Sequence, residues 1–167
     1  SGGTAFSFEV LPPKKGEGIA QLEKTVETLM AYNPDGKVRK VTFFDIHSTK
    51  AKQFGYCMDL GNGETLTCCG DEPYNELEKP YVENCSWLLH EAFCLYSQAD
   101  RFHPYEKHHS TVKDACELAQ ANNVRHLILY HTEDKNIADR KALYCEEGRR
   151  YFQGDLHVPD DLEIIEL

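Results

Sequence analysis

The chain has 167 residues, of which 28 are acidic and 18 are basic, so its formal net charge is −10. Phosphate binding depends on clusters of lysine and arginine, and this balance gives no support to a nucleic-acid partner. Seven cysteines, an odd number without a C-x-x-C pair, indicate reduced and mostly buried thiols. We expect a cytoplasmic protein without a membrane span, because the sequence has neither a long apolar run nor the features of a signal peptide.

The first part of the chain, residues 1–36, predicts a strand and a helix. Residues 6–11 alternate apolar and polar side chains before the break at Pro12-Pro13. Leu22, Val26 and Leu29 then recur at helical spacing, and the segment ends in the turn sequence Asn33-Pro34-Asp35-Gly36. We therefore treat residues 1–36 as an N-terminal strand-helix appendage to a domain formed by residues 37–167.

From residue 37 onward the pattern alternates between strands and helices. The turn Gly61-Asn62-Gly63 predicts a hairpin between the strands on either side of it. Strands are predicted at 38–46, 54–60, 64–69, 87–90 and 126–130, helices at 110–122 and 137–152, and a last strand-like piece at 156–167. Strands followed by alternating strands and helices are typical of an α/β or α+β layered domain.

Three short motifs place side chains that can bind metals where the chain leaves a predicted strand. They are Asp45-Ile46-His47-Ser48, Cys69-Gly70-Asp71-Glu72-Pro73 and Leu129-Tyr130-His131-Thr132. Between the second and the third lie His90-Glu91-Ala92-Phe93 and His108-His109-Ser110-Thr111. In this order the motifs resemble ribonuclease Z and its relatives, metal-dependent hydrolases of the metallo-β-lactamase fold, and the resemblance covers residues 37–167.

This resemblance implies a role for each motif. His47, Asp71 and His131 would be metal ligands, with Asp71 bridging two divalent ions, and imidazole and carboxylate are groups that zinc accepts. His109 would face the scissile phosphate, and Glu91 would orient its imidazole and keep it protonated. The implied substrate is a phosphodiester or another ester.

The H-x-H-x-D-H motif of these hydrolases is absent, since no two of the eight histidines are two residues apart. We therefore expect half of the αββα sandwich: one mostly antiparallel or mixed sheet with helices on one face, holding metal partially or not at all. A homodimer or a missing N-terminal half would complete it. The segment between His47 and Asp71 is also too short for the arm with which ribonuclease Z grips tRNA, which argues against tRNA processing.

Two alternatives remain at this point. The first is a non-catalytic remnant or interaction module of the same fold. The second rests on Phe6-Ser7-Phe8-Glu9-Val10-Leu11-Pro12-Pro13-Lys14, which resembles the opening of methylenetetrahydrofolate reductase. That enzyme is a TIM barrel, and residues 1–36 are too few to form one, because such a barrel needs roughly 250 residues.

Overall fold

A six-stranded mixed sheet forms the centre of the structure, a computed structural model that describes residues 40–49 and 52–167. The predicted strand at residues 6–11, the helix after it and the resemblance to methylenetetrahydrofolate reductase lie outside these residues. The strands are β1 (Lys40–Asp45), β2 (Phe54–Gly61), β3 (Glu64–Cys68), β4 (Trp87–Glu91), β5 (His126–Tyr130) and β6 (Asp155–His157). The helices of the described part are α1 (Lys79–Val82), α2 (Ala99–Phe102), α3 (Val112–Ala121) and α4 (Arg140–Gly148).

The strands follow one another across the sheet in the order of the sequence. β1, β2 and β3 pair in antiparallel fashion, whereas β3, β4, β5 and β6 pair in parallel. The predicted hairpin joins β2 to β3, and its turn holds Gly61, Asn62 and Gly63 at positive φ, which glycine and asparagine tolerate best. As a result β1, β3, β4 and β5 all run in the same direction and end at the same edge of the sheet.

The helices cover one face of this sheet, as the sequence predicted. Leu88, Leu127 and Leu129 point from β4 and β5 into a core that also contains Val112, Ala115, Ala119 and Tyr144 from α3 and α4. Alternate residues of the same strands, Trp87 and Ile128, join Leu66 in a smaller cluster on the opposite face. No helix of the described ranges contributes to that second cluster, where Ile165 of the C-terminal segment packs instead.

Helix α3 begins at Val112, two residues later than the sequence predicted, because Thr111 is its capping residue. The Thr111 hydroxyl accepts a hydrogen bond from the Asp114 backbone, and the Asp114 carboxylate accepts one from the Thr111 N–H at 2.8 Å. This reciprocal arrangement satisfies two backbone donors at the start of the helix. It leaves Ser110 in the loop that approaches β4.

The C-terminal strand is much shorter than residues 156–167, so that part of the prediction is wrong. β6 ends at His157, and Pro159 follows, which cannot donate to a strand ladder. The rest of the segment is fixed by ion pairs to α4, from Arg140 to Asp160 at 2.9 Å and from Lys141 to Glu163 at 2.7 Å. The helix predicted at 137–152 is likewise shorter, because turns precede Arg140 and follow Gly148.

All seven cysteines lie in the described part of the chain, and all are free thiols. Cys69, Cys85, Cys94 and Cys116 are buried, in agreement with the prediction of reduced core thiols. No helix within the described ranges combines the length and the apolar character that a membrane crossing requires.

A buried carboxyl group next to the core makes the stability of the fold dependent on pH. Glu78 is fully buried, and burial raises its pKa to about 7, although the Cys69 thiol and Asn75 hydrogen-bond to it. The folded state therefore keeps a proton that the unfolded state releases near pH 4.5. Stability should fall as the pH rises from 4.5 to 7.

We predict that Glu78→Gln removes this dependence and stabilises the protein at pH 8 by up to about 3 kcal/mol, since the neutral amide has no charge to desolvate. Urea unfolding of both proteins at pH 5 and pH 8 measures the effect. A matched control is Glu76→Gln, at an exposed site, which should leave the dependence unchanged. An equal loss of stability between the two pH values in wild type and Glu78→Gln would contradict the prediction.

Candidate metal centre

The ends of the three central strands bring the predicted functional residues to one edge of the sheet. Asp71 follows β3 after the Cys69-Gly70 turn, Glu91 is the last residue of β4, and His131 directly follows β5. Glu91 and Tyr130 are paired across β4 and β5, so the ends of these two strands are level. The loop before α3 brings His109 to the same edge.

Asp71, His109 and His131 form a cluster at this edge. Each offers one atom that can bind a metal, and these three atoms lie within 4.8 Å of one another. Asp71 Oδ1 is central, at 3.0 Å from His131 Nε2 and 3.5 Å from His109 Nδ1. The His109 side chain is only 11% exposed, whereas Asp71 and His131 are 38% and 41% exposed, so the cluster opens to solvent on the side of the latter two.

The Asp71 turn is held in place by contacts to its neighbours. The Tyr130 hydroxyl donates a hydrogen bond to the Gly70 carbonyl, which ties the turn after β3 to the end of β5. Gly70 has a φ of +73°, and a Cβ there would approach Ile46 Cδ1 to 2.6 Å. Only glycine meets both conditions without a shift of the core. Tyr130 and Gly70 therefore fix the distance between Asp71 and His131.

Glu91 fixes the loop that carries His109. Its carboxylate is completely buried, accepts a hydrogen bond from the Ser110 N–H and lies 3.6 Å from His109 Nδ1. Burial raises the pKa of Glu91 to about 7, and the charge of Asp71 adds to that rise, while the Ser110 hydrogen bond opposes it. A cationic imidazole or a metal ion in the cluster would favour the ionised carboxylate.

Backbone pairing between the end of β4 and the loop before α3 reinforces this arrangement. The Phe93 N–H donates to the Ser110 carbonyl at 2.9 Å, and the Val112 N–H donates to the Cys94 carbonyl at 3.0 Å. Cys94 and Thr111 also form a parallel bridge. The loop is therefore bound along its length to the chain that follows Glu91.

Phe93 belongs to the site although sequence reasoning assigned it no role. Its ring stacks on the His109 imidazole, with centroids 5.1 Å apart and planes inclined by 20°. It also lies 6.5 Å from the His131 ring. Phe93 is the last residue of the His90-Glu91-Ala92-Phe93 motif, so the sequence did draw attention to it. An aromatic residue at that position is equally typical of a hydrophobic core.

His47 does not join the cluster, although it was predicted to converge with Asp71 and His131. It follows β1, and β2 lies between β1 and β3 in the sheet. The loops after β1 and β3 are nevertheless in contact, since the Thr49 N–H donates to Glu72 Oε1 at 2.8 Å. His47 is exposed at positive φ, and its N–H donates to Asp45 Oδ1 at 2.8 Å. Its assignment as a ligand stays a prediction.

The cluster fits a divalent metal in its donor chemistry and in its hydrogen bonding. The Asp71 carboxylate and the His131 imidazole are groups that zinc accepts as ligands. Asp71 Oδ1 is buried and makes no hydrogen bond with any described residue, although His131 Nε2 is only 3.0 Å away. A buried carboxylate oxygen without a hydrogen bond is costly unless a cation is bound next to it.

Comparisons with known proteins find relatives that carry the name of the family that the motifs resemble. Ribonuclease Z from Bacillus thuringiensis (strain Al Hakam), from Bacillus mycoides (strain KBAB4) and from Bacillus cereus (strain AH820) is in each case 30% identical to this chain over 101 residues. The match includes 60% of this chain and 32% of each relative. The chain therefore spans about a third of the length of the curated relatives it matches. No protein-family model matches the chain.

Two solved structures share its fold at low sequence identity. The metallo-β-lactamase fold protein YhfI from Bacillus subtilis superimposes with a TM-score of 0.58 at 18% identity, over 72% of this chain and 46% of that one. The short form of human tRNase Z gives a TM-score of 0.56 at 19% identity, over 75% of this chain and 42% of that one. Sequence and structure thus confirm the resemblance: the chain is similar to ribonuclease Z and, over its described residues, has a fold of the metallo-β-lactamase type.

Proposed function

We propose that this chain forms one side of the catalytic centre of a metal-dependent hydrolase that cleaves phosphodiester or other ester bonds. The observation that carries the proposal is the convergence of Asp71, His109 and His131 around the buried Asp71 Oδ1. These residues come from three separate segments of the sequence. Turn residues without a common role would not be expected to meet at one edge of the sheet.

Asp71 and His131 are the residues that would hold the metal, which we propose to be zinc. Bound there, a divalent ion supplies a Lewis acid and lowers the pKa of a water molecule so that hydroxide forms at neutral pH. Asp71 Oδ1 is suited to bridge two ions because it is the central atom of the cluster. The H-x-H-x-D-H motif is absent from these residues, so further ligands would come from another segment or from a second copy of the chain.

His109 is suited to donate a proton. Its Nδ1 edge faces two carboxylates, with Asp71 Oδ1 at 3.5 Å and Glu91 Oε2 at 3.6 Å, and both would stabilise an imidazolium ion. On this assignment Nε2, on the opposite edge of the ring, carries the proton to the leaving oxygen. The stacked Phe93 ring and the hydrogen bond from Ser110 to Glu91 hold the imidazole in position.

The site and the relatives indicate the chemical class of the substrate, and the net charge bears on its size. The relatives are called ribonuclease Z, and phosphodiester cleavage is the activity that this name carries. The net charge of −10 and the short connection between His47 and Asp71 favour a substrate smaller than tRNA. The free thiols of the described part are compatible with the cytoplasm, which is the location we propose.

The first prediction concerns metal binding by the chain itself. Asp71→Asn and His131→Ala should each weaken zinc binding at least about tenfold, because each removes a direct ligand and even indirect partners of a metal contribute that much. Isothermal titration of the chelator-treated protein with zinc measures the effect. His103→Ala is a matched control, since His103 is an exposed histidine whose only described ion pair is a 3.4 Å contact to Glu106.

Equal zinc affinity in Asp71→Asn, His131→Ala and wild type would show that the metal binds elsewhere. The zinc affinity of His47→Ala completes the series, because it shows whether His47, the remaining predicted ligand, contributes to zinc binding. An effect as large as that of Asp71→Asn would mean that a second metal position includes His47.

The second prediction concerns turnover. When the chain is supplied with a segment carrying H-x-H-x-D-H, in cis or in trans, it should hydrolyse a dinucleoside phosphodiester, whose alkoxide leaving oxygen needs a proton, in the presence of zinc. His109→Ala should lower kcat by about 10²- to 10⁴-fold, the usual contribution of a general acid, while zinc content stays at the wild-type level. His103→Ala should leave kcat unchanged.

Loss of zinc from His109→Ala would contradict the assignment of His109 as an acid and make it a ligand. Zinc binding with no hydrolysis in the completed protein would favour the alternative of a non-catalytic module. The metal measurement and the rate measurement therefore separate the two functions.

A further inference from the structure

We propose that a cavity beside the metal centre binds the base of the leaving nucleoside of a phosphodiester, with the exposed ring of Tyr105 as the surface on which the base stacks. This subsite rests on the proposed function, because it holds the group that would leave next to His109. The cavity has a volume of about 360 Å³, and its wall includes Pro73, Tyr74, Tyr105, His109 and Leu118. Pockets for small molecules measure about 300–1,000 Å³, so its size suits a nucleoside.

The segments that border the cavity are the ones that carry the metal centre. Pro73 and Tyr74 follow Asp71 directly in the loop after β3, separated from it only by one residue. A second loop holds Tyr105 and leads to His109 before α3 begins. A group that is attached to the reacting phosphate can therefore lie in the cavity while the phosphate itself is at the metal centre.

The orientation of His109 indicates that the cavity takes the leaving group. Its Nδ1 is buried and faces Asp71 and Glu91. The 11% of the side chain that is accessible therefore lies on its other atoms. On the proposed assignment Nε2 carries the proton to the leaving oxygen. Because His109 also lines the cavity, a nucleoside bound there would have its leaving oxygen close to the proposed acid.

Tyr105 presents an aromatic ring to solvent although its polar end is fixed. The residue is 55% exposed, and its hydroxyl donates a hydrogen bond to Asp114 Oδ2 at 3.0 Å. Asp114 is itself held at the start of α3, because its carboxylate accepts from the N–H and the hydroxyl of Thr111. An accessible ring with an anchored hydroxyl is a rigid surface, and bases of single strands stack on aromatic side chains of this kind.

One tight turn carries both Tyr105 and His109. The Pro104 carbonyl accepts hydrogen bonds from the N–H groups of Lys107 and His109, both at 3.0 Å. The His108 N–H donates to the Tyr105 carbonyl at 3.2 Å. The backbone therefore sets the separation between the stacking ring and the proposed acid. A base that stacks on Tyr105 would hold the leaving oxygen in place relative to His109, and such positioning is a major source of catalytic rate.

Binding of adenosine to the chelator-treated chain tests the subsite without metal and without turnover. In a proton nuclear magnetic resonance titration we expect saturable binding, with upfield shifts of the adenine protons because they lie over a tyrosine ring. Ribose, which lacks the base, should not bind saturably at the same concentrations. Tyr105→Ala should weaken adenosine binding by about fivefold to 150-fold, which corresponds to the roughly 1–3 kcal/mol that stacking of a base on an aromatic ring contributes.

Two further variants separate the ring from other effects of the substitution. Tyr105→Phe keeps the ring and loses the hydrogen bond to Asp114, so it should retain most of the affinity for adenosine. Tyr96→Ala is the matched control, since Tyr96 is also exposed, at 45%, and does not line the cavity. This variant should bind adenosine as wild type does. Circular dichroism checks that the three variants fold like wild type.

The protein completed with the H-x-H-x-D-H segment tests the same subsite in turnover. Two substrates are compared, a dinucleoside phosphodiester and its analogue whose leaving nucleoside lacks the base, so that the scissile bond and the leaving oxygen are the same. We expect a higher kcat/KM for the substrate with the base. Tyr105→Ala should remove most of this preference and leave hydrolysis of the analogue unchanged, because the ring contacts only the base.

The proposal is overturned if adenosine does not bind saturably, or if Tyr105→Ala binds it as tightly as wild type does. It is also overturned if Tyr105→Phe binds adenosine as weakly as Tyr105→Ala, or if wild type hydrolyses the two substrates with equal kcat/KM. Absence of hydrolysis of both substrates would instead contradict the proposed function. The adenosine titration depends neither on zinc nor on catalysis, so it decides the subsite in either case.

Discussion

The parallel pairing of β3, β4 and β5 is the constraint on which the site depends. Parallel strands end at the same edge: β4 and β5 end level, with Glu91 paired to Tyr130, and β3 ends two residues earlier, with Cys68 paired to Leu89. Asp71 and His131 meet because each follows one of these strands within a few residues. A slip of one residue in either pairing would turn alternate side chains to the other face and separate them.

Around this edge, negative charge is concentrated on two carboxylates. Asp71 and Glu91 both lie within 4 Å of His109 Nδ1, and Glu91 is completely buried. The raised pKa of Glu91 follows from that burial and from the nearby Asp71 charge. Such a site is electrostatically strained without a cation, since two carboxylates repel each other in a poorly solvated environment. A metal ion or an imidazolium ion relieves this repulsion, and both belong to the proposed chemistry.

The second face of the sheet has a different character. Leu66, Trp87 and Ile128 form a small apolar cluster there, and His126 stacks on Trp87 with ring centroids 4.0 Å apart. The hydrophobic residues that pack against this cluster are Tyr56, Met58 and Leu60 of β2, Leu89 of β4 and Ile165 of the C-terminal segment. That another layer, from a second copy or a further segment, completes the sandwich on this face stays a prediction.

Sequence patterns predicted the fold well where local chemistry decides it. The predicted range of β5, 126–130, is the observed one, and the turn Gly61-Asn62-Gly63 predicted the hairpin between β2 and β3. α4 and β6 were predicted to be longer than they are, because the pattern of charged and apolar residues continues beyond the last backbone hydrogen bond of each element. Ion pairs such as Lys141 to Glu163 then fix a turn that periodicity alone does not reveal.

The sequence predicted part of the site, because short motifs carry most of its residues. Family motifs identified Asp71, His109, His131 and Glu91 as candidates, and the structure brings these four to one edge. His47 is not part of that group: it follows β1, which β2 separates from β3, and strand order is a property of the whole sheet. The contact of Phe93 with His109 depends on packing between the end of β4 and the loop before α3, which no single motif encodes.

The most direct test of the central claim is the X-ray absorption spectrum of the zinc-loaded chain at the zinc edge. Coordination by Asp71, His131 and water predicts a first shell of nitrogen and oxygen at about 2.0–2.2 Å, with the outer-shell scattering of an imidazole ring. The nearby Cys68 and Cys69 are the competing ligands in this part of the fold. A sulfur shell at about 2.3 Å would place the metal on thiolates and contradict the proposed centre.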